Sequence, residues 1–187
     1  MKYSDIEQYE DIAKHYINVS SKEICKLIDL HEFELAFYKL DWSKRRCSSR
    51  GGWYPNKGGA GISIAMSATT NIKKGRVSKV YEYASFQDCP IIGSIYTKNT
   101  EDKIALHCLH EVAHAAQYWS KYLKGKSAGK PHGDIWKSLY RHLRVNILNP
   151  SLEDQKTLKK EYEEVISSIK KVRTRSYNLT GQIAASK

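Results

Sequence analysis

The chain has 187 residues, 41% of them hydrophobic, enough for one domain with a real core and little left for a second. No apolar run approaches the roughly 18 residues of a membrane span. The net charge is +11, an imbalance that points to polyanionic partners or to a strongly solvated surface. The opening Met1-Lys2-Tyr3-Ser4-Asp5-Ile6-Glu7 turns acidic and polar without the apolar core of a secretion signal. Cysteines stand at 25, 47, 89 and 108 with no C-x-x-C pair, which argues against a zinc ribbon and for reduced thiols in a cytoplasmic protein.

In chain order, residues 4–31 are predicted helical. Ser4 can cap a first helix to about Val19, with Asp5 and Glu7 in its first turn. Ser20-x-x-Glu23 fits a capping box for a second helix. Phe33, Leu35 and Phe37 alternate with less apolar neighbours as a strand does, and Trp53-Tyr54 and Ile62–Met66 are also strand-like. Gly51-Gly52 and Gly58-Gly59-x-Gly61 are predicted turns. A small antiparallel sheet of about three strands is therefore expected.

This region is also where the charge lies. Lys44, Arg45, Arg46, Arg50, Lys57, Lys73, Lys74, Arg76 and Lys79 fall between Ser43 and Val80 with no Asp or Glu among them. That excess is an electrostatic footprint suited to nucleic acid, although charge runs also serve solubility.

Thr100-Glu101-Asp102 opens a long helix capped by Asn99 or Thr100 and running to about Leu123. A loop from Lys124 to Lys130 leads to a helix over about Asp134–Leu148, with Ile135, Leu139, Leu143 and Ile147 on one face. Ser151 caps a last charged helix to about Val172, and the tail after Arg173 is expected to be loose. The organisation predicted is α+β, with one domain over 1–150 and an appended helix and tail over 151–187.

The long helix carries His110-Glu111-Val112-Ala113-His114. Residues four apart lie about 40° apart around the axis and about 6 Å along it, so both imidazoles can reach one ion. Glu111 stands about 100° further round, beside the ion and off the ligand seam. A carboxylate there can take a proton from water at a metal and pass it to a leaving amine. A catalytic zinc site takes three protein ligands and keeps one position open. The third is not a histidine six residues on, because position 120 is Ser and position 117 is Gln. Glu153 or the run Glu161-Tyr162-Glu163-Glu164 can serve, but His132, at the mouth of the next helix, is the better candidate. Imidazoles also suit Fe, Ni and Cu. His107, three residues before His110, can support the site or simply pack. Cys108, on the opposite side of the helix, reads as a packing residue.

The spacing His110-Glu111-x-x-His114, then Pro131-His132-Gly133-x-x-Trp136, resembles the SprT-like metalloproteases, whose third histidine opens the helix after the H-E-x-x-H helix. Gly51-Gly52-Trp53-Tyr54 followed by Ile62–Met66 resembles a turn and strand of the same family's sheet. The resemblance implies a minimal zincin fold, one Zn2+ on His110, His114 and His132, and Glu111 as general base. It covers about residues 20–147. The wider family includes Spartan-type proteases, which degrade proteins crosslinked to DNA. That implies a DNA partner, single-stranded or structured, for the basic stretch, a protein substrate, and a place at the nucleoid or in the nucleus. Trp53 and Tyr54 can stack on unpaired bases or pack within the sheet. The chain departs from several members in lacking a cysteine-rich ribbon, since no cysteine follows Cys108. Three functions compete: a DNA-associated zinc endopeptidase, a zinc peptidase without nucleic acid, and a non-enzymatic basic DNA-binding protein with a structural metal.

Overall fold

The computed structural model describes residues 3–43, 49–70, 76–80, 86 and 88–184, with side chains from 5 to 169 among them. These form an α+β fold of five helices and two small sheets. The order is α1 (Tyr3–Ile24), β1 (Phe37–Asp41), β2 (Arg50–Tyr54), β3 (Gly59–Ala65), the single turn α2 (Met66–Thr69), β4 (Ser78–Val80), β5 (Ile95–Thr97), α3 (Thr100–Lys124), α4 (Asp134–Ile147) and α5 (Leu152–Ala184).

The axis of the fold is α3, packed between the sheet on one side and α1 and α4 on the others. Asn99 caps it, its side chain accepting the Glu101 N–H at 2.9 Å. Glu101 and Asp102 sit in the first turn and Lys121 and Lys124 in the last, matching the helix dipole at both ends. Ile104, Leu106, Leu109 and Val112 are shut off from water, and each such burial is worth about 1.5–3 kcal/mol relative to exposure.

Where two N-terminal helices were expected, one runs unbroken to Ile24. Ala13, Ile17, Ser20 and Ile24 are all buried, a 4-3-4 spacing that forms one continuous stripe packed largely on α3. Tertiary burial overrides the capping signal. Ser20 is inside that stripe, and Ser21 Oγ donates back to the Ile17 carbonyl at 2.9 Å.

The first sheet has the order β1-β3-β2 and is mixed, not wholly antiparallel. Around the Pro55–Gly58 turn β2 and β3 form a hairpin, but β1 pairs in parallel with β3, Phe37 opposite Gly61 through Asp41 opposite Ala65. Turn chemistry dictates only the hairpin; the neighbour of β1 is chosen by burial of the central strand β3. The strand expected from Phe33 starts at Phe37, and Phe33 instead packs edge-on against Trp119 at 6.0 Å. Gly51 and Gly52, predicted as a turn, lie within β2.

In the second sheet β4 and β5 pair antiparallel, and α5 starts against it. Gln155 brackets the Tyr96 backbone, accepting its N–H at 2.7 Å and donating to its carbonyl at 3.0 Å. Ser151 caps α5 as predicted, accepting the Asp154 N–H at 3.1 Å. The helix continues past Arg173 to Ala184, where a loose tail was expected. The buried face of α4 is Trp136, Leu139, Tyr140, Leu143 and Arg144, rotated from the predicted one, so that Ile135 is exposed. Among the described residues no helix is long and apolar enough to cross a membrane.

Candidate metal centre

One helical turn separates His110 from His114, and their ring centroids lie 5.1 Å apart. The loop after α3 brings His132 onto both. His132 Nε2 is 2.8 Å from His114 Nε2 and 3.0 Å from His110 Nε2. Three ring nitrogens therefore point at a common place, within 4.8 Å of one another, and can hold a metal ion. A neutral imidazole has one proton for two nitrogens, so it presents a lone pair at the other. Lone pairs gathered this closely repel unless a proton or a cation lies among them. Burial first, then the neighbouring His110 and His132, push His114 down to about 3. Its ring is accordingly neutral near pH 7, the form that can ligate a metal.

The loop that delivers His132 is tightly specified. Gly133 N–H closes a turn on the Lys130 carbonyl at 2.9 Å. A Cβ on Gly133 would stand 2.9 Å from that same oxygen, which accounts for glycine directly after the histidine. His132 itself has φ +57°, a left-handed conformation that costs a non-glycine residue about 1–2 kcal/mol. Such strain persists where the surroundings over-determine it, commonly at functional sites.

Trp136, four residues into the same segment, is the back wall. It is fully buried, and its ring lies 4.7, 5.2 and 4.6 Å from the rings of His110, His114 and His132. Tyr140 stacks behind it at 4.7 Å. The aromatic position of the H-G-x-x-aromatic stretch thus limits the tilt of all three histidines.

On its open side the centre faces a cleft of about 440 Å³, with β2 (Arg50, Gly51 and Tyr54) opposite His110, Glu111 and His114. Glu111 is 6% exposed and lines this cleft. Burial and the Glu111 charge push the Tyr54 phenol up from its usual range. β2 lies directly on the helix backbone: a Cβ at Gly51 would stand 1.9 Å from the Glu111 carbonyl oxygen and 2.9 Å from His114 Cβ. Glycine is required there for close approach.

The other residues singled out in the sequence are placed as follows. His107 Nδ1 donates to the Lys103 carbonyl, 2.8 Å away. Cys108 is fully buried, its thiol pushed up by that burial. Glu153, Glu161 and Glu163 pair with Lys156, Lys98 and Lys159 on or beside α5. Neither they nor Glu164 joins the cluster, and among the described residues His132 completes it. Of the nine cations, Lys44, Arg45, Arg46, Lys73 and Lys74 lie outside the described residues. Arg50 is on β2, Lys57 sits over the Phe37 ring at 4.5 Å, Arg76 is exposed before β4, and Lys79 lies over Tyr96 at 5.9 Å. These four are distributed over both sheets. Trp53 stacks on Tyr122 at 5.2 Å and Tyr54 meets Phe37 edge-on at 5.1 Å, so both pack in place.

Sequence reasoning missed three contributors. Gly51 was read as a turn, Gln117 only as a departure from the pattern with a later histidine, and Trp136 only as a motif letter. The spacing of Trp136 one turn after His132 was the available signal for its role. The class that the fold and the site define is an α+β protein with a three-histidine group able to hold a metal. Compared with known proteins, the chain matches no protein-family model, no curated protein and no solved structure.

Proposed function

We propose that this protein is a zinc-dependent endopeptidase of the SprT-like kind, acting on proteins associated with or crosslinked to DNA. The observation that carries the reading is the convergence of three histidine Nε2 atoms next to a buried glutamate at the foot of an open cleft. Nitrogens about 2.0–2.1 Å from a tetrahedral ion stand about 3.3 Å from each other. That is a few tenths of an ångström wider than the separations of 2.8 and 3.0 Å seen here, so small ring movements suffice. Three protein ligands also leave the open position that a hydrolytic site needs.

When bound, zinc supplies a Lewis acid that makes water nucleophilic near neutral pH and polarises a carbonyl. The chain's own residues do the rest. His110, His114 and His132 hold the ion as neutral imidazoles. Glu111 takes the proton from the attacking water and delivers it to the leaving amine nitrogen. Trp136 keeps water from the back of the histidines. The acid-free run of nine cations between Ser43 and Val80 favours a substrate held on nucleic acid over a free one.

The test combines metal content with a peptidase or autocleavage assay, with and without single-stranded DNA. Wild type should carry about one zinc per chain, and His110→Ala, His114→Ala and His132→Ala should lose it. Glu111→Gln should keep zinc and lose about 10²–10⁴-fold in rate. Equal rates for wild type and Glu111→Gln would sink the mechanism.

A further inference from the structure

Gln117 lies one turn beyond His114 on α3, on the same side of the helix. It is fully buried. Its Nε2 donates to two carbonyls of the next loop, those of Ala128 and, at 3.1 Å, Lys130. The Lys130 carbonyl is the one that also accepts Gly133 N–H in the turn around His132. Both amide hydrogens are therefore committed, and this fixes which way round the amide sits: turned over, its oxygen would face two carbonyl oxygens. Its Oε1 is left sealed from water without a donor in full hydrogen-bonding geometry. The ring it reaches is that of His114, one turn back on the same face of α3.

A buried amide oxygen needs a donor. A histidine that ligates through Nε2 has a proton to donate from Nδ1, and the partner of that proton sets both tautomer and ring direction. We propose that Gln117 is a positioning residue of the metal centre, its Oε1 taking the His114 Nδ1 proton while its amide hydrogens hold the backbone that carries His132. One side chain thereby aligns two ligands that come from different elements. It stands beside the ion's ligands without touching the ion. The inference rests on the metal-centre reading for its consequence, but its hydrogen bond can be tested without metal.

The experiment has two parts on the full-length chain. In the metal-free wild type, ¹⁵N-histidine NMR reads the His114 tautomer. A protonated Nδ1 with a slowly exchanging proton is expected, and a protonated Nε2 overturns the proposal. Zinc affinity, measured by chelator competition, is then compared between wild type and Gln117→Met. A loss of about 10–100-fold is expected; equal affinity overturns the proposal. Reading the His114 tautomer again in metal-free His132→Ala separates the two roles. An unchanged Nδ1 proton shows that Gln117 acts on His114 independently of the loop, and its disappearance refutes that half, leaving a loop tether alone. If Gln117→Met does not fold, the tautomer in wild type decides. If wild type binds no zinc, the metal-centre reading fails, and the tautomer still decides the contact.

Discussion

Gly51→Ala tests whether the candidate site depends on how closely β2 lies on α3. The new Cβ would stand 1.9 Å from the Glu111 carbonyl oxygen, and real Cβ contacts essentially never fall below 3.0 Å. The obstacle is helix backbone, which cannot swing aside, so strand and helix must part by about 1 Å. β2 is the piece that moves, because it is an edge strand paired only with β3. Overpacking of this kind costs about 1–3 kcal/mol. For a chain of this length each kcal/mol lowers the melting midpoint by roughly 2–4 °C, so a drop of about 2–12 °C is expected. The same displacement moves the cleft wall relative to Glu111, and a misplacement of about 1 Å can cost about 10²-fold in rate. Zinc content should stay unchanged, since no ligand lies on β2. Gly52→Ala is the control: its Cβ would meet nothing nearer than 3.9 Å, and an effect within about 0.5 kcal/mol is expected. Thermal melts and peptidase rates on both variants decide the matter. A Gly51→Ala protein that melts and cleaves like wild type refutes the close-packing argument.

Acid should destabilise the metal-free protein through His114. Folding pushes that group from 6.5 down to about 3, chiefly by burial, so the unfolded chain binds a proton that the folded one refuses. The contribution is complete above about pH 6.5 and declines toward about pH 3, by about 1.4 kcal/mol per pH unit. Urea midpoints measured from pH 7 to pH 4 check this, and a slope identical to that of His114→Gln would contradict it. For DNA, affinity should fall steeply with salt, and Arg76→Gln should lower the log–log slope by about 0.7–0.9 if that exposed cation meets a phosphate. Absence of binding at low salt would leave a zinc peptidase without a nucleic-acid role.

Much of α3 was legible because its signals are local. An Asn cap, acids in the first turn and a histidine pair at i and i+4 all act within one or two turns of backbone, and they hold wherever the helix is placed. The hairpin of β2 and β3 was legible for the same reason. The elements that were misread are those settled by distant partners. Ser20 has the chemistry of a cap, but its place in the stripe on α1 buries it. β1 has no local preference for its neighbour, and only the packed sheet pairs it in parallel with β3. Ile135 has the right spacing to be core, yet it is the larger rings of Trp136 and Tyr140 that are buried, packed against the histidine rings.

The opening feature of the site divides in the same way. The sequence by itself determined that His110, Glu111 and His114 share a helix, and that a His-Gly pair opens the next one. Only the tertiary structure decided that His132 Nε2 reaches both partners, at 2.8 and 3.0 Å. That convergence depends on a left-handed residue, a glycine turn and a buried amide 15 positions upstream. None of these is encoded in the spacing of the ligands, because each acts through a contact the folded chain must first create.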